Sequence, residues 1–169
     1  MNLSTSFSIK SFLFVAFLIV LADQATKAMV VSNLHLHEVR PVLQGFFNIT
    51  YITNTGAAFG FMAGSDKWRH IFFQIISVVA LGGLIYLYRS SRSRSYQLFW
   101  GTSLVFGGAL GNLIDRIRHR SVIDFLDFYA GSYHWPAFNI ADSAITVGGV
   151  LLAWHFFREP HRKKTYEKN

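Results

Sequence analysis

Two long uncharged segments limit the folds available to this chain more than any other feature. Ile71–Tyr88 contains no charged side chain and lies between two arginines. Ser95–Ile114 is likewise uncharged and ends at Asp115. A helix needs about 20 mainly apolar residues to cross a bilayer. Because hydrophobic residues make up 51% of the chain and charged residues only 15%, we predict an integral membrane protein.

Two further apolar segments reach spanning length although they contain charged residues. Residues 11–31 include Asp23 and Lys27, whose i,i+4 spacing puts opposite charges on one helix face. Residues 137–157 include Asp142 near their start. A cleaved secretory signal peptide is the alternative for the first segment, because a basic residue precedes its apolar run.

The predicted fold is an α-helical membrane protein of one domain, residues 1–169. It has four transmembrane helices and a small extracytoplasmic β-region. The helices are predicted at about 11–31, 70–89, 95–115 and 137–157, the β-region at about 44–62, and a cytoplasmic tail at about 160–169. The β-region is indicated by mixed aromatic, β-branched and Asn/Thr residues that turn at 54–56. The second extracytoplasmic segment, 116–136, is short, and a small helix is expected there.

The distribution of basic residues predicts the orientation. Lys10 precedes the first segment, Arg89, Arg92 and Arg94 lie between the middle two, and a basic tail follows the last. Cytoplasmic loops carry the excess of Lys and Arg, so both termini and this arginine loop are predicted in the cytoplasm. The aspartates on or beside the opposite face are then Asp23, Asp115, Asp124, Asp127 and Asp142.

Composition also limits the chemistry and the partners. The chain has no cysteine, which excludes disulfides, thiolate nucleophiles and Cys-ligated metal sites. Its formal charge of +7 could suggest nucleic acid. The basic residues flank apolar segments instead of forming one helical face, so membrane lipid is the predicted partner and nucleic acid is not.

Asp124 and Asp142 are the candidate catalytic residues. Two carboxyl groups close together cannot both ionise easily, so one pKa rises and the pair shares a proton. One group can then take a proton from water while the other donates one, as in an aspartic protease. Spacing alone leaves three alternatives open. Asp142 could cap a helix in a structural subunit, near-membrane carboxylates could relay protons in a small transporter, or the pair could be catalytic.

Five sequence blocks resemble the signal peptidase II family of bacterial membrane aspartic proteases. They are Asp23–Lys27, Asn54–Phe59, Gly107–Arg116, Val122–Phe125 and Phe138–Ser143. They follow the family's order and cover nearly the whole chain apart from the tail and the arginine loop. The resemblance implies that Asp124 and Asp142 form the catalytic dyad.

The resemblance also implies the substrate and the location. The substrate is a prolipoprotein, which is cut just before its diacylglyceryl-modified cysteine, with no metal or organic cofactor. The location is the bacterial cytoplasmic (inner) membrane, with the active site at the extracytoplasmic face. We expect a monomer.

Further residues are expected to support the site. The amides of Asn54, Asn112 and Asn139 could hold peptide backbone or orient the dyad, or could satisfy buried backbone instead. Arg116 could form a fork on a carboxylate or reach a lipid phosphate. The remaining charged residues have mainly structural interpretations: Asp115 pairs with Arg116 or stabilises the fold, Asp23 and Lys27 form an ion pair near the site, and Asp127 is a solvated charge.

Overall fold

The computed structural model describes residues 7–56, 66–91 and 95–158 of the 169-residue chain. Three predicted features fall wholly or partly outside the described residues. They are Arg92 and Arg94 of the arginine loop, the end of the β-region at 57–62, and the tail at 160–169.

Four helices make up most of the structure: α1 (Ile9–Asn33), α2 (Asp66–Ser90), α3 (Tyr96–His119) and α4 (Ile140–Arg158). Among the described residues, three helices are long and apolar enough to cross a membrane. They are α1, the Trp68–Ser90 part of α2, and α4. Three of the four predicted apolar helices are therefore present, whereas α3, which covers the predicted span at 95–115, is not among them.

α3 differs from the other helices because it lies between them. It packs against α1, α2 and α4, and its buried face includes the polar residues Thr102, Ser103, Asn112 and Asp115. Its last turn is basic. A helix that is shielded by its neighbours can carry polar side chains, provided that these are hydrogen-bonded. This is why α3 is less apolar than the other three helices.

Capping residues in the sequence determine where two of the helices begin. Ser8 Oγ accepts a hydrogen bond from the Ser11 N–H at 3.1 Å at the start of α1. Ser95 Oγ accepts one from the Leu98 N–H at 3.1 Å at the start of α3. Each bond satisfies an N–H group that has no partner within its helix. α3 ends at Arg120, whose φ of 58° is left-handed.

The strands form one antiparallel sheet in the order β1–β2–β3–β4. They are β1 (Val39–Leu43), β2 (Phe47–Asn54), β3 (Val122–Ala130) and β4 (Tyr133–His134). In the central pair, Ile52 lies opposite Asp124 and Asn54 lies opposite Val122. The predicted small β-region is confirmed, and it begins earlier than expected, at Val39.

The prediction of a small helix within 116–136 is wrong. α3 continues to His119, and most of the segment that follows is β3 and β4. The sequence of β3 (VIDFLDFYA) is rich in β-branched and aromatic residues, which suit a pleated and partly buried strand. Pairing with β2, which is distant in the sequence, decides the outcome in favour of the strand.

The interior changes in character along the bundle. Phe12, Ala16, Tyr88, Phe99 and Phe106 form an apolar cluster near the start of α1, the end of α2 and the start of α3. The rings of Phe12 and Tyr88 stack with centroids 4.8 Å apart. The opposite end of the bundle, where the sheet packs, contains a network of buried charged and amide side chains.

Candidate active site

Asp124 and Asp142 reach the same network from two different elements. Asp124 is the third residue of β3 and is 3% exposed. Asp142 lies in the first turn of α4. Asn139 connects them, because its Nδ2 donates to Asp124 Oδ1 at 2.9 Å and its backbone N–H donates to Asp142 Oδ2 at 3.3 Å. The structure thus brings together the two carboxylates that the sequence singles out.

Asp142 takes part in capping α4, but as the third residue of the helix, with Asn139 as the N-cap. Asn139 Oδ1 accepts from the Asp142 N–H at 2.9 Å, while Asp142 Oδ2 accepts from the Asn139 N–H at 3.3 Å. This reciprocal pair is a capping box, and it holds both residues at the start of α4. Capping leaves Asp142 Oδ1 for another partner, which is the Asn112 amide at 2.8 Å.

Two more amides complete the surroundings of the carboxylates. Asn54 Nδ2 donates to Asp124 Oδ2 at 3.1 Å, and Asn54 Oδ1 accepts from the Gly56 N–H at 2.8 Å, which closes the predicted turn. Asn112 connects to Asn139, whose Nδ2 lies 3.2 Å from Asn112 Oδ1. Asn54 therefore closes a turn and contacts a carboxylate.

A buried ammonium group lies behind this network. Lys27 Nζ is 2.8 Å from Asp23 Oδ2, 2.8 Å from Asp115 Oδ2 and 3.0 Å from Asn112 Oδ1. Lys27 is 2% exposed and Asp23 is 0% exposed. A lysine ammonium has three protons, so each can be matched to one of these oxygens. The predicted Asp23–Lys27 ion pair is present, and it extends from α1 to α3.

Asp23 also positions α4. Its Oδ1 accepts a hydrogen bond from the Ala141 N–H at 3.0 Å, at the N-terminal end of that helix. A carboxylate is favourable there because the first N–H groups of a helix have no partner within the helix. Asp23 therefore connects α1 to the helix that carries Asp142.

The expected pairing of Asp115 with Arg116 is wrong. Asp115 accepts hydrogen bonds from Gln24 Nε2 at 2.8 Å and from the Ile123 N–H at 3.1 Å, in addition to its contact with Lys27. Neighbouring residues in a helix do not face each other. Asp115 therefore points toward α1 and the start of β3, which fits the alternative that it stabilises the fold.

Arg116 points toward α2 instead. Its Cζ lies 5.5 Å from the centre of the Phe73 ring, and its backbone oxygen accepts from Gln74 Nε2 at 3.2 Å. Among the residues that the structure describes, its guanidinium forms no ion pair within 4.0 Å. The predicted fork on a carboxylate is not formed here.

Asp127 is not the solvated charge that we expected. It is 7% exposed, and its oxygens contact Asn48 Nδ2 at 2.8 Å and His134 Nδ1 at 2.8 Å. The ring of His134 stacks on Tyr129 with centroids 5.0 Å apart. The pairing of β3 with β2 and β4 creates these contacts, which sequence spacing does not indicate.

Burial strongly affects the ionisation of Asp124. Loss of hydration raises the pKa of Asp124 to about 7, and the negative charge of Asp142 contributes to the rise. Hydrogen bonds from Asn54 and Asn139 and the positive charge of Lys27 act in the opposite direction. Near neutral pH, this carboxyl group can therefore hold or release a proton.

Each carboxylate lines a different cavity. A cavity of about 290 Å³ lies beside Asp124 and is lined by polar residues that include Asn54 and Thr55. A cavity of about 330 Å³ lies beside Asp142, with Trp135 and Val147 in its mainly apolar wall. The segment 135–138 contributes residues to both.

Comparison with known sequences identifies the family. A family model described as Signal peptidase (SPase) II matches residues 15–158. The chain belongs to the signal peptidase II family. A lipoprotein signal peptidase of Desulforapulum autotrophicum is 50% identical over 142 residues, which cover 83% of this chain and 88% of that protein. One from Syntrophus aciditrophicus is 48% identical over 153 residues, which cover 90% and 95%.

Two solved structures are similar to this chain in fold. One described as a bacterial membrane enzyme at 1.9 Å resolution has a TM-score of 0.83 at 32% identity, and the match covers 94% of this chain and 100% of that one. A second, at 2.3 Å resolution, has a TM-score of 0.82 at 32% identity and covers 99% and 100%. The fold of this chain is therefore that of solved membrane enzymes.

Sequence reasoning missed one residue of the network. Gln24 donates to Asp115 Oδ1, and it also lies within reach of Asp23 Oδ2 at 3.2 Å and the Gly111 oxygen at 3.3 Å. Gln24 lies inside the Asp23–Lys27 block, between the two charged residues that were predicted to pair. Its polarity within an apolar helix was the available signal.

Proposed function

We propose that this member of the signal peptidase II family is an aspartic endopeptidase that removes signal peptides from prolipoproteins, with Asp124 and Asp142 as its catalytic pair. Relatives at 50% and 48% identity carry the name of this activity. One observation carries the assignment to residues: Asn139 contacts Asp124 through its side chain and Asp142 through its backbone N–H. Two carboxylates held by one residue suit shared-proton chemistry.

The reaction requires one ionised and one protonated carboxyl group. The ionised group takes a proton from water, whose oxygen attacks the carbonyl carbon of the scissile bond, while the protonated group donates to the carbonyl oxygen. The C–N bond then breaks: the carboxyl group that took the proton from water gives it to the leaving amine, and the other carboxylate takes a hydroxyl proton from the tetrahedral intermediate, which restores the single proton of the pair. The raised pKa of Asp124, about 7, supports its role as the initially protonated partner.

The cavities support a lipid-modified substrate. We propose cleavage just before a diacylglyceryl-modified cysteine. The mainly apolar cavity beside Asp142 suits the modified residue and its apolar neighbours. The cavity beside Asp124 has Thr53, Asn54 and Thr55 in its wall, whose polar groups suit peptide backbone. No metal or organic cofactor enters this mechanism, because two carboxyl groups can activate the water.

The proposed setting is the bacterial cytoplasmic (inner) membrane, with four transmembrane helices in one domain. α3 has 24 residues, which span about 36 Å at about 1.5 Å per residue, enough for a hydrocarbon core of about 30 Å. The arginines between α2 and α3 support cytoplasmic termini and an active site at the extracytoplasmic face. A monomer in contact with lipid is sufficient, because one chain supplies the whole network.

Two rival functions explain less of the structure. A proton relay or transporter would place acidic residues through the depth of the bilayer, yet Ile71–Tyr88 and Ser95–Ile114 contain none. A purely structural role accounts for Asp142, which caps α4. It does not account for Asp124, a buried carboxylate that receives two amide hydrogen bonds and has a raised pKa.

Exchange of each aspartate for asparagine tests the proposal. Asn keeps the shape of Asp but can neither take up nor return the proton. We expect Asp124→Asn and Asp142→Asn each to lower the kcat for a diacylglyceryl-modified prolipoprotein by roughly 10² to 10⁴-fold. The double variant should be scarcely slower than either single one, because the two groups act as a unit. Asp127→Asn, on the same strand as Asp124, is the matched control.

The outcomes distinguish a wrong assignment of the catalytic residues from a wrong assignment of the function. Substantial turnover by folded Asp124→Asn or Asp142→Asn protein would rule out the dyad. Failure of the wild-type protein to cut the modified prolipoprotein would rule out the function itself. A mass shift of the substrate, measured alongside the melting temperature of each variant, distinguishes lost chemistry from lost folding.

A further inference from the structure

A third cavity lies on the other side of the buried network, away from both catalytic carboxylates. It has a volume of about 400 Å³ and lies between the last turns of α1 and α3 and the strands β2 and β3. Lys27 and Asp115 form its inner wall. It shares no described lining residue with the cavities at Asp124 and Asp142, so it is a separate space.

Three polar side chains around this cavity have unused hydrogen-bonding capacity. Arg118 and His119 are exposed at the end of α3, and Tyr51 is half-buried on β2. Within the described part of the chain, none of these three side chains makes a hydrogen bond or ion pair. The guanidinium, the imidazole and the phenol can all donate hydrogen bonds. Together they suit an anion with several acceptor oxygens.

The inner wall does not compete for these donors. Asp115 is already bonded to Lys27, Gln24 and the Ile123 N–H. Lys27 is matched by Asp23, Asp115 and Asn112. Asp23, which does not line the cavity, leaves this buried cluster with one excess negative charge. Among the groups that do line the cavity, the charges of Lys27 and Asp115 cancel, and the exposed guanidinium of Arg118 adds a positive charge.

The cavity is also continuous with an apolar helix surface. Ala28 and Val31 of α1 line it and are exposed, Val31 to 44%. Phe14, Leu21 and Ala28 recur at intervals of seven residues and so share one face of α1. Phe14 is 61% and Leu21 is 53% exposed. An apolar chain could lie along this face while a polar group occupies the cavity.

We propose that this cavity binds the headgroup phosphate of a membrane phospholipid, with its acyl chain along α1. Arg118 and His119 donate to the phosphate oxygens, and Tyr51 donates from the sheet. Arginine suits phosphate because its planar group can donate two parallel hydrogen bonds. The cavity lies at the end of the helices, at the depth of the lipid phosphates in the proposed membrane orientation. None of the three proposed donors makes a hydrogen bond with Asp124 or Asp142 among the described residues.

Native mass spectrometry of the full chain in detergent tests this proposal. The delipidated protein is titrated with phosphatidylglycerol, with diacylglycerol of the same chains, and with inorganic phosphate. We expect phosphatidylglycerol to bind, and the Arg118→Gln/His119→Gln double variant to bind it about tenfold more weakly. Arg120→Gln removes the same charge at the same helix end but does not line the cavity, so it should bind as the wild type does.

Tyr51→Phe is a second test, because it removes a single hydroxyl group and leaves the charge unchanged. We expect it to weaken phosphatidylglycerol binding about two- to tenfold. Equal binding by wild-type protein and the double variant would overturn the proposal, as would an equal loss in Arg120→Gln. Diacylglycerol binding as tightly as phosphatidylglycerol would exclude the phosphate contact. Inorganic phosphate binding as tightly would exclude a lipid ligand.

Discussion

Asn139 shows how one side chain can serve both folding and chemistry. It is 0% exposed, caps α4 through Oδ1, and donates through Nδ2 to Asp124 and to the Ile123 oxygen at 3.1 Å. A leucine at this position would leave several of these groups without a partner, and each such group costs about 1–3 kcal/mol. Asn139 therefore contributes to stability and to the placement of Asp124.

Two substitutions separate these contributions. Serine is a good N-cap residue but is too short to reach Asp124. We expect both variants to lower kcat, because both lose the contact with Asp124. Asn139→Ser should lower the melting temperature less than Asn139→Leu, because serine keeps the cap. Equal kcat in wild-type and Asn139→Ser protein would show that the contact with Asp124 has no role in catalysis.

The pH dependence follows from the raised pKa of Asp124, about 7. If the active form needs one proton on the pair, that proton is lost as the pH rises through this value. We expect kcat/KM to fall above about pH 7, since this profile reports the ionisation of the free enzyme. The apparent pKa values belong to the pair rather than to one residue.

Substitution of Asn54 tests whether the ionisation of Asp124 causes the alkaline limb of the pH profile. Its hydrogen bond favours the charged form of Asp124 and lowers the pKa, so its removal should move the alkaline limb to higher pH. Asn54→Ser keeps a side chain that can accept from the backbone two residues on, but it cannot reach Asp124. A shift of the limb toward lower pH would contradict this explanation.

At the scale of elements, the distance between α3 and α4 sets the geometry of the site. α3 carries Asn112, which donates to Asp142 on α4. A Cβ added at Gly108 would collide with the backbone oxygen of Ala141 on α4. Only a residue without a side chain allows these helices to approach so closely.

Gly108→Ala should therefore separate α3 from α4. We expect a loss of about 1–3 kcal/mol in the free energy of unfolding and a lower kcat, because Asn112 and Asp142 move apart. Gly149→Ala is the matched control on α4, since an added Cβ there meets no atom within 4 Å. Equal melting temperatures for the two variants would show that the close approach is not required.

At the scale of the whole molecule, the two ends of the bundle have different interiors. Aromatic residues fill one end, and the buried ammonium, carboxylates and amides occupy the other. A buried charge is tolerated only when it is paired and hydrogen-bonded. Lys27 satisfies this condition by connecting Asp23 on α1 with Asp115 and Asn112 on α3.

Labelling of introduced cysteines tests the orientation of this bundle. The chain contains no natural cysteine, so each introduced one gives an unambiguous signal. Ser90 lies at the end of α2 and Gln44 lies between β1 and β2, and both are exposed. We expect an impermeant reagent to label Gln44→Cys on intact inner-membrane spheroplasts and Ser90→Cys only after permeabilisation. The reverse pattern would invert the proposed topology.

The sequence by itself determined the features that depend on local pattern. Four segments of spanning length predicted the positions of the four helices, because every backbone polar group must be satisfied within a bilayer. Five blocks in the expected order predicted the family. Asp23 and Lys27 were predicted as a pair because i,i+4 residues share a helix face.

Only the tertiary structure decided the features that depend on contacts between distant segments. The burial of Asp127 and the strand at 122–130 follow from the pairing of β3 with β2. The partners of Asp115 follow from the packing of α3 against α1 and β3. Ionisation is decided in the same way, since the pKa of Asp124 is raised by burial and by Asp142 from another element. The spacing of residues along a chain does not specify which distant groups will bury a given side chain. That burial removes the hydration of the side chain and so controls its ionisation.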